Sequence, residues 1–188
     1  NNLNKKFKWS IIGQQVLMAQ VYLPTIFANM NKKILPDYLH KYLKIGGANV
    51  PYNTDAWDGY PKERERLFKE LEKAKSVLVL TGDTHNSWLN NLYDKNNNFI
   101  GVEIGTPAIS SPNTIDTFGS LTDGIEKGFI KENKNVKWTE GKHKGYTLLK
   151  LTKDKSEVSF IYVNTVKSKV YEVIDYNKFN VKPNTPII

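Results

Sequence analysis

The stretch Ser76-Val-Leu-Val-Leu-Thr-Gly-Asp-Thr-His85 decides the fold that the sequence predicts. Its continuous apolar run is typical of a strand that is buried on both faces of a sheet. The run ends in a polar loop that carries Asp83 and His85. Residues 61–75, just before it, predict an amphipathic helix with Pro61 in the first turn. Helix, buried strand and polar loop form the second half of an α/β unit, and open α/β sheets bind their ligands at such loops.

On either side of this stretch, the pattern predicts further strands. Residues 8–16 predict a buried strand that runs into a loop at Gly13-Gln14-Gln15. The signals for helices over residues 37–44 and 115–133 are weaker, and residues 175–188, with two prolines, predict an irregular tail. Four segments separated by polar turns predict mostly antiparallel strands, namely residues 86–94, 99–106, 146–152 and 157–166.

We therefore predict an α/β fold with α+β character, in which buried strands with flanking helices pass into an antiparallel second sheet. A length of 188 residues predicts one domain or a large part of one. Within it, we assign residues 1–95 to the α/β part that carries the polar loops. Residues 96–170 form the mostly antiparallel part, and residues 171–188 form the tail.

Composition excludes several classes of protein. The absence of cysteine excludes disulfide scaffolds and cysteine-based zinc sites. No apolar run approaches the ~20 residues of a membrane span. The formal net charge of +8 favours anionic partners such as phosphate esters or nucleic acid. Because the lysines are spread along the chain, a solvated lysine-rich surface is the simpler interpretation of this charge.

The loop Gly82-Asp83-Thr84-His85 is the candidate for chemistry that remains when known motifs are checked. The sequence contains no G-x-S-x-G, H-E-x-x-H, P-loop or G-x-G-x-x-G motif. A carboxylate and an imidazole two residues apart, just past a buried strand, can point into one site. Oxygen and nitrogen donors together suit Fe, Mn, Zn or Ca. The loop alone leaves open a second interpretation, a turn aspartate next to a surface histidine.

Four ordered motifs extend this signal along the chain. They are Trp9…Gly13-Gln14-Gln15, Asp55-Ala-Trp57-Asp58-Gly59-Tyr60-Pro-Lys-Glu-Arg64, Leu80-Thr-Gly82-Asp83-Thr-His85-Asn-Ser-Trp88, and the stretch from Gly101 to Pro112. In this order they resemble the C-terminal half of the PhoD-like (alkaline phosphatase D) phosphatases and phosphodiesterases, a branch of the calcineurin-like metallophosphoesterases. Lys144-Gly145-Tyr146 resembles a further motif of the family, and the resemblance covers roughly residues 7–170.

The resemblance implies the C-terminal half of a four-layer metallophosphoesterase sandwich and metal-dependent hydrolysis of phosphate monoesters or diesters. It implies that Asp83 and His85 are catalytic metal ligands. Gln15 is either a third ligand or a hydrogen-bond partner of a metal-bound water. Fe and Ca are the implied metals, with Zn or Mn as alternatives, because a carboxylate at position 83 favours a harder ion such as Ca²⁺.

The resemblance also implies that Asp58, Tyr60 and Arg64 bind substrate. Each has a structural alternative. The segment from Asp58 to Tyr60 can be a turn with an anchoring aromatic ring, and Arg64 can pair with a nearby acid. Trp57 and Trp88 are predicted to pack the loops around the site.

One departure from the family pattern shapes the remaining expectations. The family's other metal ligands lie in an N-terminal half, whose motifs are absent from this sequence. We therefore expect a partner, the missing N-terminal half of the same protein, and an inactive isolated chain. The resemblance implies that the whole protein is secreted, periplasmic or at the cell surface. The alternative is a non-catalytic basic α+β module that binds an anionic polymer through its lysines.

Overall fold

The computed structural model describes residues 7–35, 37, 40 and 42–188. Within these residues the strands are β1 (Ser10–Gly13), β2 (Val77–Thr81), β3 (Ser87–Tyr93), β4 (Phe99–Gly105), β5 (Val136–Glu140), β6 (Lys144–Leu151), β7 (Ser156–Val163) and β8 (Val173–Val181). The α-helices are α1 (Pro61–Leu71), α2 (Thr114–Phe118) and α3 (Thr122–Glu132). Short 3-10 helices lie at Thr25–Asn29, Lys32–Ile34, Tyr42–Lys44, Trp57–Gly59 and Gly119–Leu121.

Strands β1 to β5 form a mixed sheet in the order β1-β2-β4-β3-β5. Strands β1, β2 and β4 are parallel, and β3 is antiparallel to both of its neighbours. Ile12 lies opposite Val79, which lies opposite Glu103. Because β1, β2 and β4 run in the same direction, the loops that follow them meet at one edge of the sheet.

Strands β6, β7 and β8 form a second, antiparallel sheet. Alternation along β2 shows how the layers stack. Val77 and Val79 pack in the core that contains Phe68 of α1, whereas Leu78 packs in the core that contains Phe160 of β7. The first sheet therefore has helices on one face and the second sheet on the other. This arrangement confirms the predicted α/β fold with an antiparallel second sheet.

Several boundaries differ from the sequence prediction. The predicted irregular tail was wrong, because residues 173–181 form β8, which pairs with β7, and both prolines follow the strand. Strand β5, where lysine and threonine interrupt the apolar residues, was not predicted. Strand β1 is shorter than residues 8–16 and only partly buried, because it is the outer strand of the sheet.

Two further predictions concern the organisation of the chain. Of the predicted helix over residues 37–44, positions 38, 39 and 41 lie outside the described residues, and the structure shows a 3-10 helix at Tyr42–Lys44. The division into residues 1–95, 96–170 and 171–188 stays a prediction. In the described part of the chain, no helix is long and apolar enough to cross a membrane.

A segment without regular structure crosses the interior between β1 and the 3-10 helices, and we call residues 17–23 the crossing segment. Glu103 of β4 is fully buried beside it. The Glu103 carboxylate accepts hydrogen bonds from Met18 N at 2.5 Å, Ala19 N at 3.1 Å and Asn90 Nδ2 at 2.9 Å. One buried side chain thus supplies the acceptors for two consecutive backbone N–H groups that no sheet or helix satisfies.

The protonation state of Glu103 is shifted by this environment. Burial raises the pKa of Glu103 to about 7, against the opposing effect of its three N–H donors, and the nearby Asp58 carboxyl adds to the rise. Asn90 Oδ1 is buried and has no hydrogen-bond partner. Rotation of the Asn90 amide would let Oδ1 accept a hydrogen bond from protonated Glu103. The site can therefore satisfy both protonation states.

This shift predicts a pH-dependent stability. An unfolded Glu has a pKa of about 4.3, so between about pH 4.5 and 7 the folded state binds more protons than the unfolded state. The free energy of unfolding should fall as the pH rises through this window, and the slope should be smaller in the Glu103→Gln variant. Urea unfolding at several pH values measures it. Glu172→Gln, at an exposed position, is the control, and equal slopes in E103Q and the wild type would contradict the prediction.

Candidate active site

The loops after β1, β2 and β4 are joined by main-chain hydrogen bonds at the carboxyl edge of the first sheet. Gln14 N donates to Leu80 O at 3.0 Å, and Gly82 N donates to Gln15 O at 3.0 Å. Thr106 N donates to Thr81 O at 2.9 Å. The parallel pairing thus continues past the strand ends and fixes the loop of Gln15 beside the loop of Asp83.

The loop from Gly82 to His85 has a strained backbone. Asp83 and His85 have φ angles of 65° and 63°, in the left-handed region that residues other than glycine seldom adopt. Trp88 of β3 holds the loop from below, because its Nε1 donates to Thr84 Oγ1 at 2.8 Å. Strain of this kind persists only where surrounding contacts enforce it, and it is concentrated at functional sites.

His85 is oriented by a backbone carbonyl. Its Nδ1 lies 2.6 Å from Pro112 O. A carbonyl oxygen can only accept, so Nδ1 carries the proton and donates it. In the neutral imidazole, the other ring nitrogen, Nε2, then has a free lone pair. This is the arrangement that metal-ligating histidines have, with one nitrogen held by an acceptor and the other on the metal.

Asp83 is exposed at a cleft between the two sheets. This central cleft has a volume of about 530 Å³ and is lined by Gln15, Asp83 and Thr106, and by Thr147 of β6. The Asp83 carboxylate has no hydrogen-bond or ion-pair partner among the described residues. The structure therefore brings Gln15 and Asp83 to one cleft, with an unpaired carboxylate available to a ligand.

Tyr60 lies at a neighbouring cavity of about 350 Å³ that Gln15 also lines. Gln15 is exposed between the two cavities. Gln14 also lines both cavities, and its Oε1 accepts a hydrogen bond from Trp57 Nε1 at 3.0 Å. Tyr60, Gln15 and Asp83 thus follow one another along the same edge of the molecule, whereas Gln14 and Trp57 hold the loop.

Asp58 and Arg64 form a buried ion pair with 2.5 Å between Oδ1 and Nη1. Asp58 Oδ2 accepts from Val21 N at 2.8 Å, and Arg64 Nη1 donates to Met18 O at 3.4 Å. Burial raises the pKa of the Asp58 carboxyl more than these donors lower it. Both side chains lie under the loops and hold the crossing segment, which is the structural alternative. Their predicted role in substrate binding stays a prediction.

This geometry predicts a large stability effect at Arg64. Arg64→Met leaves the Asp58 carboxylate buried without its partner, which costs about 3 kcal/mol or more in the free energy of unfolding. Arg66→Met is the matched control, because Arg66 pairs with Glu63 on the same helix with 77% and 56% of the two side chains exposed, and exposed pairs contribute about 1 kcal/mol or less. Urea unfolding measures both, and equal losses would contradict the assignment.

The sequence is similar to a family of known proteins over most of its length. The sequence model of the PhoD-like phosphatase family matches residues 1–160. The chain belongs to this family. Alkaline phosphatase D of Bacillus subtilis (strain 168) is 31% identical over 160 residues, which cover 81% of this chain and 23% of the relative. The predicted family resemblance is therefore confirmed.

A solved structure described as "Structure of PhoD" has the same fold. It aligns with a TM-score of 0.66 at 22% identity, over 93% of this chain and 30% of the other. At this identity the likeness shows the fold alone. The chain spans less than a third of the length of the two relatives.

Two carboxylates of this PhoD-like chain were not identified from its sequence. Glu103 has a visible signal, a charged residue between Val102 and Ile104 in an apolar strand. Glu140 has none, although its Oε1 lies 2.8 Å from Nδ1 of His143. The spacing of Glu140 and His143 along the chain matches no known motif, and the turn after β5 brings these two side chains together.

The described residues of the PhoD-like chain contain no cluster of three or more candidate metal ligands. Across residues 7–35, 37, 40 and 42–188, no group of three or more His, Cys, Asp or Glu side chains could hold a metal ion. Asp83 and His85 provide one carboxylate and one imidazole from a single loop. A binuclear centre needs more donors than these two residues and Gln15 provide.

Proposed function

We propose that this chain forms part of the active site of a metal-dependent phosphatase or phosphodiesterase, in a protein longer than this 188-residue sequence. The observation that carries the proposal is the geometry of His85, whose Nδ1 is held by Pro112 O while Nε2 is free. It stands two residues from an unpaired Asp83 in a chain that belongs to the PhoD-like phosphatase family.

The donor atoms of Gln15, Asp83 and His85 suit a metal ion, and Gln15 and Asp83 line the central cleft, whereas His85 is not among its lining residues. His85 offers a neutral nitrogen, Asp83 offers carboxylate oxygens, and Gln15 offers an amide oxygen in the same cleft as Asp83. This donor set suits Fe or Ca, with Zn or Mn as alternatives. A bound metal would lower the pKa of water and neutralise charge on the phosphoryl oxygens. Pro112 O would fix the ring of His85, and Tyr60 would contact the substrate at the adjoining cavity.

Two strand edges that no described residue pairs support the proposal that the remaining ligands come from the missing N-terminal half. Strand β1 is the outer strand of the first sheet, and β6 is the outer strand of the second. Both border the central cleft. Tyr146 and Leu148 of β6 are 54% and 55% exposed. Proteins rarely leave such strand edges uncovered, so we propose that the other half extends both sheets and completes the site.

Further properties of the whole protein are proposed from the family resemblance. We propose that it acts on phosphate monoesters or diesters, and that it is secreted, periplasmic or at the cell surface. The isolated chain is expected to be inactive because it lacks ligands. Its positive charge gives the alternative, a basic module for an anionic polymer. However, two of its lysines, Lys142 and Lys144, already form ion pairs with Asp123 and Asp116.

Substitution of the candidate ligands tests the proposal. In the longer protein, Asp83→Ala and His85→Ala should each lower the metal content and reduce hydrolysis of p-nitrophenyl phosphate by at least about a thousandfold, the loss of several kcal/mol of charge stabilisation. Elemental analysis and steady-state kinetics measure the two effects. Asp154→Ala and His40→Ala remove the same side chains outside the candidate site and should change neither.

Metal content of the 188-residue chain provides a second test. We expect fewer than two tightly held metal ions per chain, and more when the N-terminal half is added. Two or more ions in the isolated chain would contradict the partial site. The anionic-polymer alternative predicts instead that Asp83→Ala leaves polymer binding unchanged, while lysine-to-glutamate changes weaken it in a salt-dependent way.

A further inference from the structure

A second cavity lies on the opposite face of the first sheet from the central cleft. Its walls belong to the helix-side core, whereas Leu80 and Ile104 of the central cleft belong to the core beneath the second sheet. We call it the aromatic pocket, and its walls are Leu23, Phe27, Tyr52, Phe118, Ile125 and Phe129. Thr84, Pro112 and Thr117 are among the residues at its rim.

The walls of the aromatic pocket are fixed by contacts between rings. Phe27 meets Phe118 edge-to-face at 5.6 Å between centroids, and Tyr52 meets Phe129 at 5.0 Å. Phe129 also meets Trp88 at 5.2 Å. Such arrangements are favourable and restrict the rings. The pocket is therefore built from ordered side chains that are already in place.

The aromatic pocket shares two structural elements with the candidate ligand loop. Thr84, at the rim, stands between Asp83 and His85 in the chain. Pro112, also at the rim, is the residue whose carbonyl accepts the hydrogen bond from His85 Nδ1. Trp88 contacts the pocket wall through Phe129 and holds Thr84 by a hydrogen bond. The aromatic pocket is therefore connected to the loop of Asp83 and His85 through Thr84 and Pro112.

The chemistry of the lining decides what fits. None of its residues is charged, and its volume is about 230 Å³. An apolar cavity of about 150 Å³ is enough to bind benzene, so one substituted ring fits here. A phosphate group does not, because an unpaired charge would lose its hydration.

We propose that the aromatic pocket binds the uncharged organic group of the phosphate ester, an aromatic ring in particular, while the phosphate lies on the side of Asp83 and His85. This assignment rests on the proposed function for its substrate, but the binding of a ring to the pocket is testable without any activity. It makes the pocket a determinant of specificity for the alcohol part of the ester.

Binding of benzyl alcohol to the 188-residue chain is the first test. We expect a saturable shift of the Trp88 indole N–H resonance. Thr117→Phe, which puts a ring into the pocket, should weaken binding at least about tenfold. Ser120→Phe, which puts the same ring at an exposed position after α2, should not. Near-ultraviolet circular dichroism would show whether T117F impairs folding. In that case the Thr117→Leu variant, which fills the pocket with fewer atoms, is used in place of T117F. Absence of saturable binding, or equal binding by the filled variant, would overturn the proposal.

Kinetics of the longer protein provide the second test. T117F should lower kcat/KM for phenyl phosphate about tenfold more than for methyl phosphate, which has no ring to place. S120F should change neither value. Equal losses for the two esters would overturn the assignment of the pocket to substrate. If the wild type hydrolyses neither ester, the proposed function fails, and the benzyl alcohol titration still decides whether the pocket binds a ring.

Discussion

The crossing segment runs through the interior without a helix or a strand, so its backbone polar groups find their hydrogen-bond partners in loops and in side chains from distant parts of the chain. Glu103 accepts from two of its N–H groups, Asp58 accepts from a third, and Arg64 donates to a carbonyl. The Asn133 side chain accepts a hydrogen bond from the backbone N–H of Tyr22 and donates one to its backbone carbonyl. These bonds join β4, the helix α1 and the turn before β5 to one buried segment. The position of the Gln15 loop, which directly precedes that segment, follows from them.

The loop from Gly82 to His85 separates two environments of opposite character. On the side of the second sheet, Asp83 faces a cleft with hydroxyl and amide groups. On the helix side, Thr84 faces a pocket of aromatic rings. Left-handed φ angles at Asp83 and His85 let successive side chains of one short loop diverge in this way. The proposed division of a phosphate ester into a charged part and an apolar part corresponds to this division of the protein.

The sequence predicted the fold class and the loop of Asp83 and His85, because a buried strand followed by polar residues is a local pattern. The tautomer of His85 was beyond its reach, since Pro112 lies 27 positions away. Glu103 was missed because its partners, Met18 and Asn90, come from other elements. The ion pair of Arg64 was foreseen only as an alternative, since helical periodicity places this position on the face of Phe68 and Leu71 but does not identify its partner. The tautomer of His85 and the contacts of Glu103 depend on segments that are distant in the sequence, so only the structure reveals them.

The order of the strands has a consequence for how the chain folds. In the second sheet, β6 and β7 are joined by a short turn, so their contacts are local. In the first sheet, Ser10 pairs with Val77, which lies far along the chain. Contacts of high sequence separation require a large loss of chain entropy and form slowly. We therefore expect the second sheet to form early and the β1–β2 ladder late. Gln15 and Asp83 come together only when that ladder closes.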